Sequence, residues 1–118
     1  MSENKSVVER YMDGFRRSVH AEILSCLTDD VEWILPGTFD LHGKQAFDAE
    51  IENPAFIGSP DIAVHRLIEE DDCVVAEGTV RAQRRDGNSL LLAMCDVFEM
   101  RDGRIRRLTS YLMEIKGS

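Results

Sequence analysis

Positive charge is in short supply in this chain: 14 Lys and Arg against 22 Asp and Glu leave a net charge of −8. The isoelectric point near 4.8 follows from that balance. Nucleic acids and anionic membranes both demand a basic face, so neither is expected as a partner. Cysteine is sparse as well. Cys26, Cys73 and Cys95 show no metal-ligand spacing, and three thiols cannot all pair within one chain. Cys26 and Cys95 sit among apolar neighbours and read as small core residues instead of nucleophiles. No two of His20, His42 and His65 stand at ligand spacing, so no metal and no cofactor is expected. A leader-like segment and a long apolar span are also lacking, which predicts a reduced, cytoplasmic protein. What is present is ordinary: 118 residues, 43% apolar and 31% charged, enough for one domain over residues 1–118 with a core of its own.

The first half of the chain has helical periodicity and the second half alternates. Between Glu3 and Arg17, apolar residues at Val7, Val8, Tyr11, Met12 and Phe15 mark one face of a helix. Ser18 is placed to cap a second, shorter helix carrying Ile23, Leu24 and Leu27, ended by Asp29-Asp30. Val31 to Leu35 is a short strand stopped by Pro36-Gly37, and Thr38 to Gly43 is a loop or very short strand. A third helix is predicted over about Lys44 to Ile51, after which Asn53-Pro54 and Gly58-Ser59-Pro60 break the chain. Asp61–Glu69, Cys73–Arg85, Ser89–Met100 and Arg104–Ile115 then read as strands joined by turns, two of which contain Asp-Gly. The fold class expected is α+β: a cone-like curved antiparallel sheet, made of a four-stranded meander plus a short early strand. Three helices close it around a cavity.

Asp96 stands out within Leu90 to Phe98, the most apolar stretch of the chain. A carboxyl on a buried strand must be paired, hydrated, or kept protonated by a raised pKa. A two-residue turn at Asp86-Gly87 pairs Arg85 with Asn88 and sets Asp96 opposite Glu77, and Met94 opposite Thr79. Two carboxyls so close cannot both ionise easily, which offers an acid and a base at neutral pH. The competing reading of Glu77 is a surface residue paired with Arg81 or Arg66. The same register groups Ala76, Gly78, Val80, Ala93 and Cys95 on a second, small-residue face that needs covering by helices or another subunit. Tyr111 is expected on that opposite, intersubunit face.

Val7-Val8-Glu9-Arg10-Tyr11, Leu27 to Trp33, the Gly43 turn into a helix, and Cys95 to Ile105 together resemble the ketosteroid isomerases. Those belong to the nuclear transport factor 2-like superfamily, with the SnoaL-like polyketide cyclases and the limonene epoxide hydrolases. The resemblance spans nearly the whole chain. It implies a homodimer of cones, each holding a small apolar organic molecule. It also implies that Tyr11 and Asp96 donate hydrogen bonds to a developing oxyanion (ketosteroid isomerase is a standard example of this arrangement). The family's general base precedes Pro36, and here that position is Leu35, which cannot move a proton. Glu77 is the best replacement on spacing.

Aromatic and apolar residues describe the remainder of the expected pocket: Trp33, Leu35, Phe39, Phe56, Met94, Phe98, Leu108 and Leu112, with Thr79 on the sheet and His42 at the rim. Two functions fit. One is an isomerase- or cyclase-type enzyme transferring a proton on a small apolar carbonyl compound, with Tyr11, Asp96 and Glu77 as its machinery. The other is a ligand-binding or dimerisation domain without a general base.

Overall fold

The computed structural model describes residues 2–116 as three helices and six strands. Helix α1 (Glu3–Arg17) starts where the Ser2 hydroxyl accepts the Lys5 N–H, and it buries Val7, Val8, Tyr11 and Met12. It ends at Ser18, whose left-handed backbone lets its N–H reach the carbonyls of Gly14 and Phe15. Ser18 therefore closes the first helix instead of opening the second. Helix α2 (His20–Ser25) packs tightly on Gly14, where an added Cβ would come within 2.9 Å of Ile23.

Strand β1 (Leu27–Leu35) begins earlier than its sequence suggests and claims Leu27, which was expected on the second helix. The reason lies in a non-local pairing: Leu27 meets Ile105 and Trp33 meets Leu108 in parallel register with β6. Strand β2 (Phe39–His42) folds back on β1, and helix α3 (Lys44–Ile51) follows. Strand β3 (Phe56–Glu70) runs straight through Gly58-Ser59-Pro60, because an irregular stretch of the β3–β4 ladder falls there. Strands β4 (Cys73–Arg84), β5 (Ser89–Arg101) and β6 (Arg104–Glu114) complete one curved, unclosed sheet in the order β2-β1-β6-β5-β4-β3. The α+β class is as expected, with six strands in place of five.

The β4–β5 hairpin corrects the expected register. Its loop is three residues, 85–87, closed by the Arg84 N–H on the Asn88 carbonyl, and Gln83 pairs with Ser89. Asp96 is therefore opposite Ala76, Met94 opposite Gly78, and Leu92 opposite Val80. A slip of one residue exchanges the faces of β4. Ala76, Gly78 and Val80 lie with Asp96 on the inner face under the helices. Glu77 and Thr79 lie on the outer face with Cys95 and Ala93. The small residues expected to share one face are thus divided between two. Gly78 sits beside a bulge in β3 where His65 is the extra residue, and a Cβ on it would overlap the Ala63 carbonyl oxygen. No helix of the described residues is long and apolar enough to cross a membrane.

Candidate functional site

The inner face of β5 and β6 meets the helices in a cluster of rings. Tyr11 packs edge-on against Phe98 at 5.4 Å and against Phe47 at 6.2 Å, and lies 5.2 Å from Phe15. Trp33 stacks on Phe47 at 4.4 Å and meets Phe39 edge-on. Strand alternation accounts for the sheet's share: Met94, Asp96 and Phe98 on β5, and Leu108 and Ser110 on β6, all point inward and all are buried. Tyr11 reaches them because it falls on the same stripe of α1 as Val7 and Val8.

Within this apolar cluster stands a carboxyl. Asp96 is 7% exposed, between Ala76 on β4 and Ser110 on β6, and its Oδ1 has no hydrogen-bond partner among the described residues. Burial pushes its pKa up to about 7, against a smaller opposing contribution from a hydrogen bond with Ser110. Burial also pushes the Tyr11 phenol well above its usual value, and the nearby Asp96 charge pushes it in the same direction. Tyr11 thus stays protonated as a donor, whereas Asp96 is poised between its two forms at neutral pH.

Other residues singled out from the sequence fall elsewhere. Glu77 is on the outer face, 2.7 Å from Arg66, with half of its side chain exposed; it does not meet Asp96. The expectation of a carboxyl pair fails because the loop is one residue longer than the two-residue hairpin turn. Thr79 shares that outer face instead of facing Met94. Leu35 ends β1 opposite Phe39. Leu112 is opposite Met94 but 41% exposed, beyond the buried part of β6. His42 is exposed, with Nε2 3.2 Å from Asp40 and Nδ1 3.9 Å from Glu32. Glu32, Asp40 and His42 lie close enough to suggest a metal centre. Yet the two ring nitrogens serve different carboxylates and Arg107 already meets Glu32 at 3.3 Å, which is an ion-pair geometry. Ser110 was not foreseen. Its only signal in the sequence is a lone hydroxyl in the inward alternation Leu108, Ser110, Leu112.

Two concavities flank the cluster. One, of about 610 Å³, lies at the mouth of the cone between the end of α3, the start of β3 at Phe56, and Val80 and Leu92 on the sheet. The other, of about 780 Å³, opens on the outer side of β4–β6 by exposed Tyr111 and Met113, walled by the Leu35–Thr38 turn. Neither Tyr11 nor Asp96 lines either one. Met94 stands between the mouth at Leu92 and Asp96, which lies about 13 Å deeper along β5 at ~3.3 Å per residue.

A curved sheet wrapped on three helices, with an acid set into its inner face, is the architecture of the nuclear transport factor 2-like proteins. Residues 8–108 match the SnoaL-like domain family, and the chain belongs to that family. Among solved structures it is similar to a nuclear transport factor 2-like protein of unknown function from Burkholderia pseudomallei, with 26% identity and a TM-score of 0.89 over 96% of this chain and 92% of the other. TerC co-crystallised with polyporic acid is 28% identical, with a TM-score of 0.82 over 92% and 90% of the two chains. A protein described as a ketosteroid isomerase from Kribbella flavida shares the fold at 20% identity, with a TM-score of 0.76 over 98% and 82%. No curated protein sequence matches the chain.

Proposed function

We propose that this protein binds a small, largely apolar carbonyl compound in its cone and moves a proton on it, with Asp96 as proton carrier and Tyr11 as oxyanion donor. The observation that carries this reading is the buried Oδ1 of Asp96, without a hydrogen-bond partner among the described residues, on a carboxyl whose pKa is about 7. A group that is half ionised at the working pH is the most effective acid and base at once. The ionised carboxylate removes a proton from the carbon next to the carbonyl, forming an enolate whose oxygen accepts the Tyr11 hydroxyl. The neutral carboxyl then returns the proton to another carbon. No separate base is needed, so Leu35 at the strand end and Glu77 on the outer face are compatible with catalysis. This reassigns Asp96 from hydrogen-bond donor to proton carrier. The similarity to TerC, co-crystallised with polyporic acid, supports a small organic ligand.

Deuterium uptake at the α-carbon of a small β,γ-unsaturated ketone tests the reaction. The wild type should accelerate exchange and Asp96→Asn should not. A second reading, binding without chemistry, draws on the rings that fill the space around Asp96. It predicts saturable binding with no exchange by either protein. Leu35→Asp sharpens the choice: a second carboxyl at the strand end should increase exchange if Tyr11 and Asp96 already face the ligand.

We further infer a homodimer built on the outer face, where Tyr111 is 52% and Met113 73% exposed beside Ala93 and Cys95. Sedimentation should give twice the chain mass at micromolar concentration, and Met113→Glu should shift it towards the monomer.

A further inference from the structure

One polar contact runs through the ring cluster, and it ends at Ser110, the ladder neighbour of the acid. The Trp33 indole Nε1–H donates to the Ser110 hydroxyl oxygen at 3.1 Å. An indole N–H only donates, so this contact occupies a lone pair of Ser110 and leaves the single hydroxyl proton to be placed. Ser110 is 4% exposed, which leaves water little access to that proton, and Asp96 is its direct partner across the β5–β6 ladder. Donation from Ser110 to Asp96 would place that proton. It also leaves the carboxyl asymmetric, with Oδ1 lacking any partner among the described residues.

We propose that Ser110, oriented by the Trp33 N–H, is a positioning residue that holds one oxygen of Asp96 and makes Oδ1 the atom through which the carboxyl exchanges its proton. This rests on the reading of Asp96 as proton carrier. Trp33, expected from the sequence only as part of a ligand-lining wall, acts in addition as the fixed end of a three-residue chain. The hydrogen bond favours the ionised carboxyl and works against the burial that favours the neutral one. The chain therefore tunes where Asp96 titrates and fixes which oxygen does so.

The test is a titration of the Asp96 carboxyl carbon by NMR in 13C-aspartate-labelled protein without ligand, with Asp96→Asn identifying the signal. Ser110→Ala should raise the midpoint by about 1–2 pH units, the size expected for losing a hydrogen bond to a charged group. Ser110→Thr, which keeps the hydroxyl, should restore it, and Ser110→Cys, a weaker donor, should fall between. Trp33→Phe should raise the midpoint by less, and should have no effect once Ser110 is Ala. An unchanged midpoint in Ser110→Ala overturns the proposal. So does a Trp33→Phe shift that persists in the Ser110→Ala background, since the indole would then act through packing alone. The readout involves no turnover. Proton transfer that survives in Asp96→Asn would instead overturn the catalytic reading and leave this titration result standing.

Discussion

Asp96 and Glu77 are carboxylates on adjacent strands, one position out of register, on opposite faces of the same sheet. Outside, Glu77 meets Arg66 at 2.7 Å with both side chains about half exposed. Such pairs contribute from nothing to ~1 kcal/mol, because water screens them and two flexible side chains must be held still. Inside, Asp96 has no cation beside it and one oxygen without a partner among the described residues. A side chain of the same chemistry is thus a solvated surface charge on one face and a desolvated, proton-hungry group on the other. Stability gives no reason for a carboxyl at the inner position, where an apolar residue would pack among Phe98, Met94 and Ala76 without penalty. That contrast singles out Asp96 as the group with a chemical task.

The sharpest way to break the contrast is to neutralise the inner acid. The folded-state pKa of Asp96 is about 7 against an ordinary 3.8. Below pH ~4 the group is neutral in both folded and unfolded chains and costs nothing by ionising. As pH rises, the unfolded chain releases its proton first, so stability falls, and the loss is complete once the folded group also ionises above pH ~7. The span corresponds to about 4 kcal/mol. Asp96→Asn should remove this slope, so that denaturant titrations from pH 4 to 8 give a flatter stability curve than wild type. The variant should also abolish proton exchange on the ketone. An unaltered slope would mean that Asp96 is not the buried acid described here.

Met94 sharpens the difference in access. It is 4% exposed and fills the inner face between the mouth cavity at Leu92 and Asp96. Removing a buried Met side chain costs ~2–5 kcal/mol and leaves a cavity. Met94→Ala should therefore lower the unfolding midpoint while admitting bulkier ketones to Asp96, seen as a lower KM for larger ligands than for small ones. An equal effect on every ligand would mean that the route to the acid lies elsewhere.

The elements most plainly legible in the sequence were the local ones. Helix α1 follows from its apolar stripe, and the meander from alternation between turn residues. Asp96 announced itself by sitting in an apolar run, a signal that needs no partner. The face of Glu77 was lost because it depended on the hairpin closing with two loop residues, whereas the Arg84–Asn88 contact closes it with three. The parallel pairing of β1 with β6 joins residues some 75 positions apart, as in the Trp33–Ser110 contact, and no local pattern encodes it. Ser110 was missed for the same reason: its meaning comes from Trp33 on one side and Asp96 on the other, both brought to it only by the folded sheet.

The smallest expected effect belongs to the outer acid, and its smallness is the point. Glu77→Gln removes the Arg66 ion pair but leaves a side chain of equal size on a surface already half exposed. The loss in denaturant-measured stability should stay below ~1 kcal/mol and shrink further in high salt, since exposed pairs are screened. Proton exchange on the ketone should match wild type across the pH range, because no atom of Glu77 reaches the inner face where Asp96 stands. A large fall in exchange for Glu77→Gln, with stability intact, would place the chemistry on the outer concavity. Asp96 would then be a buried structural acid, and the assignment of the two faces would have to be reversed.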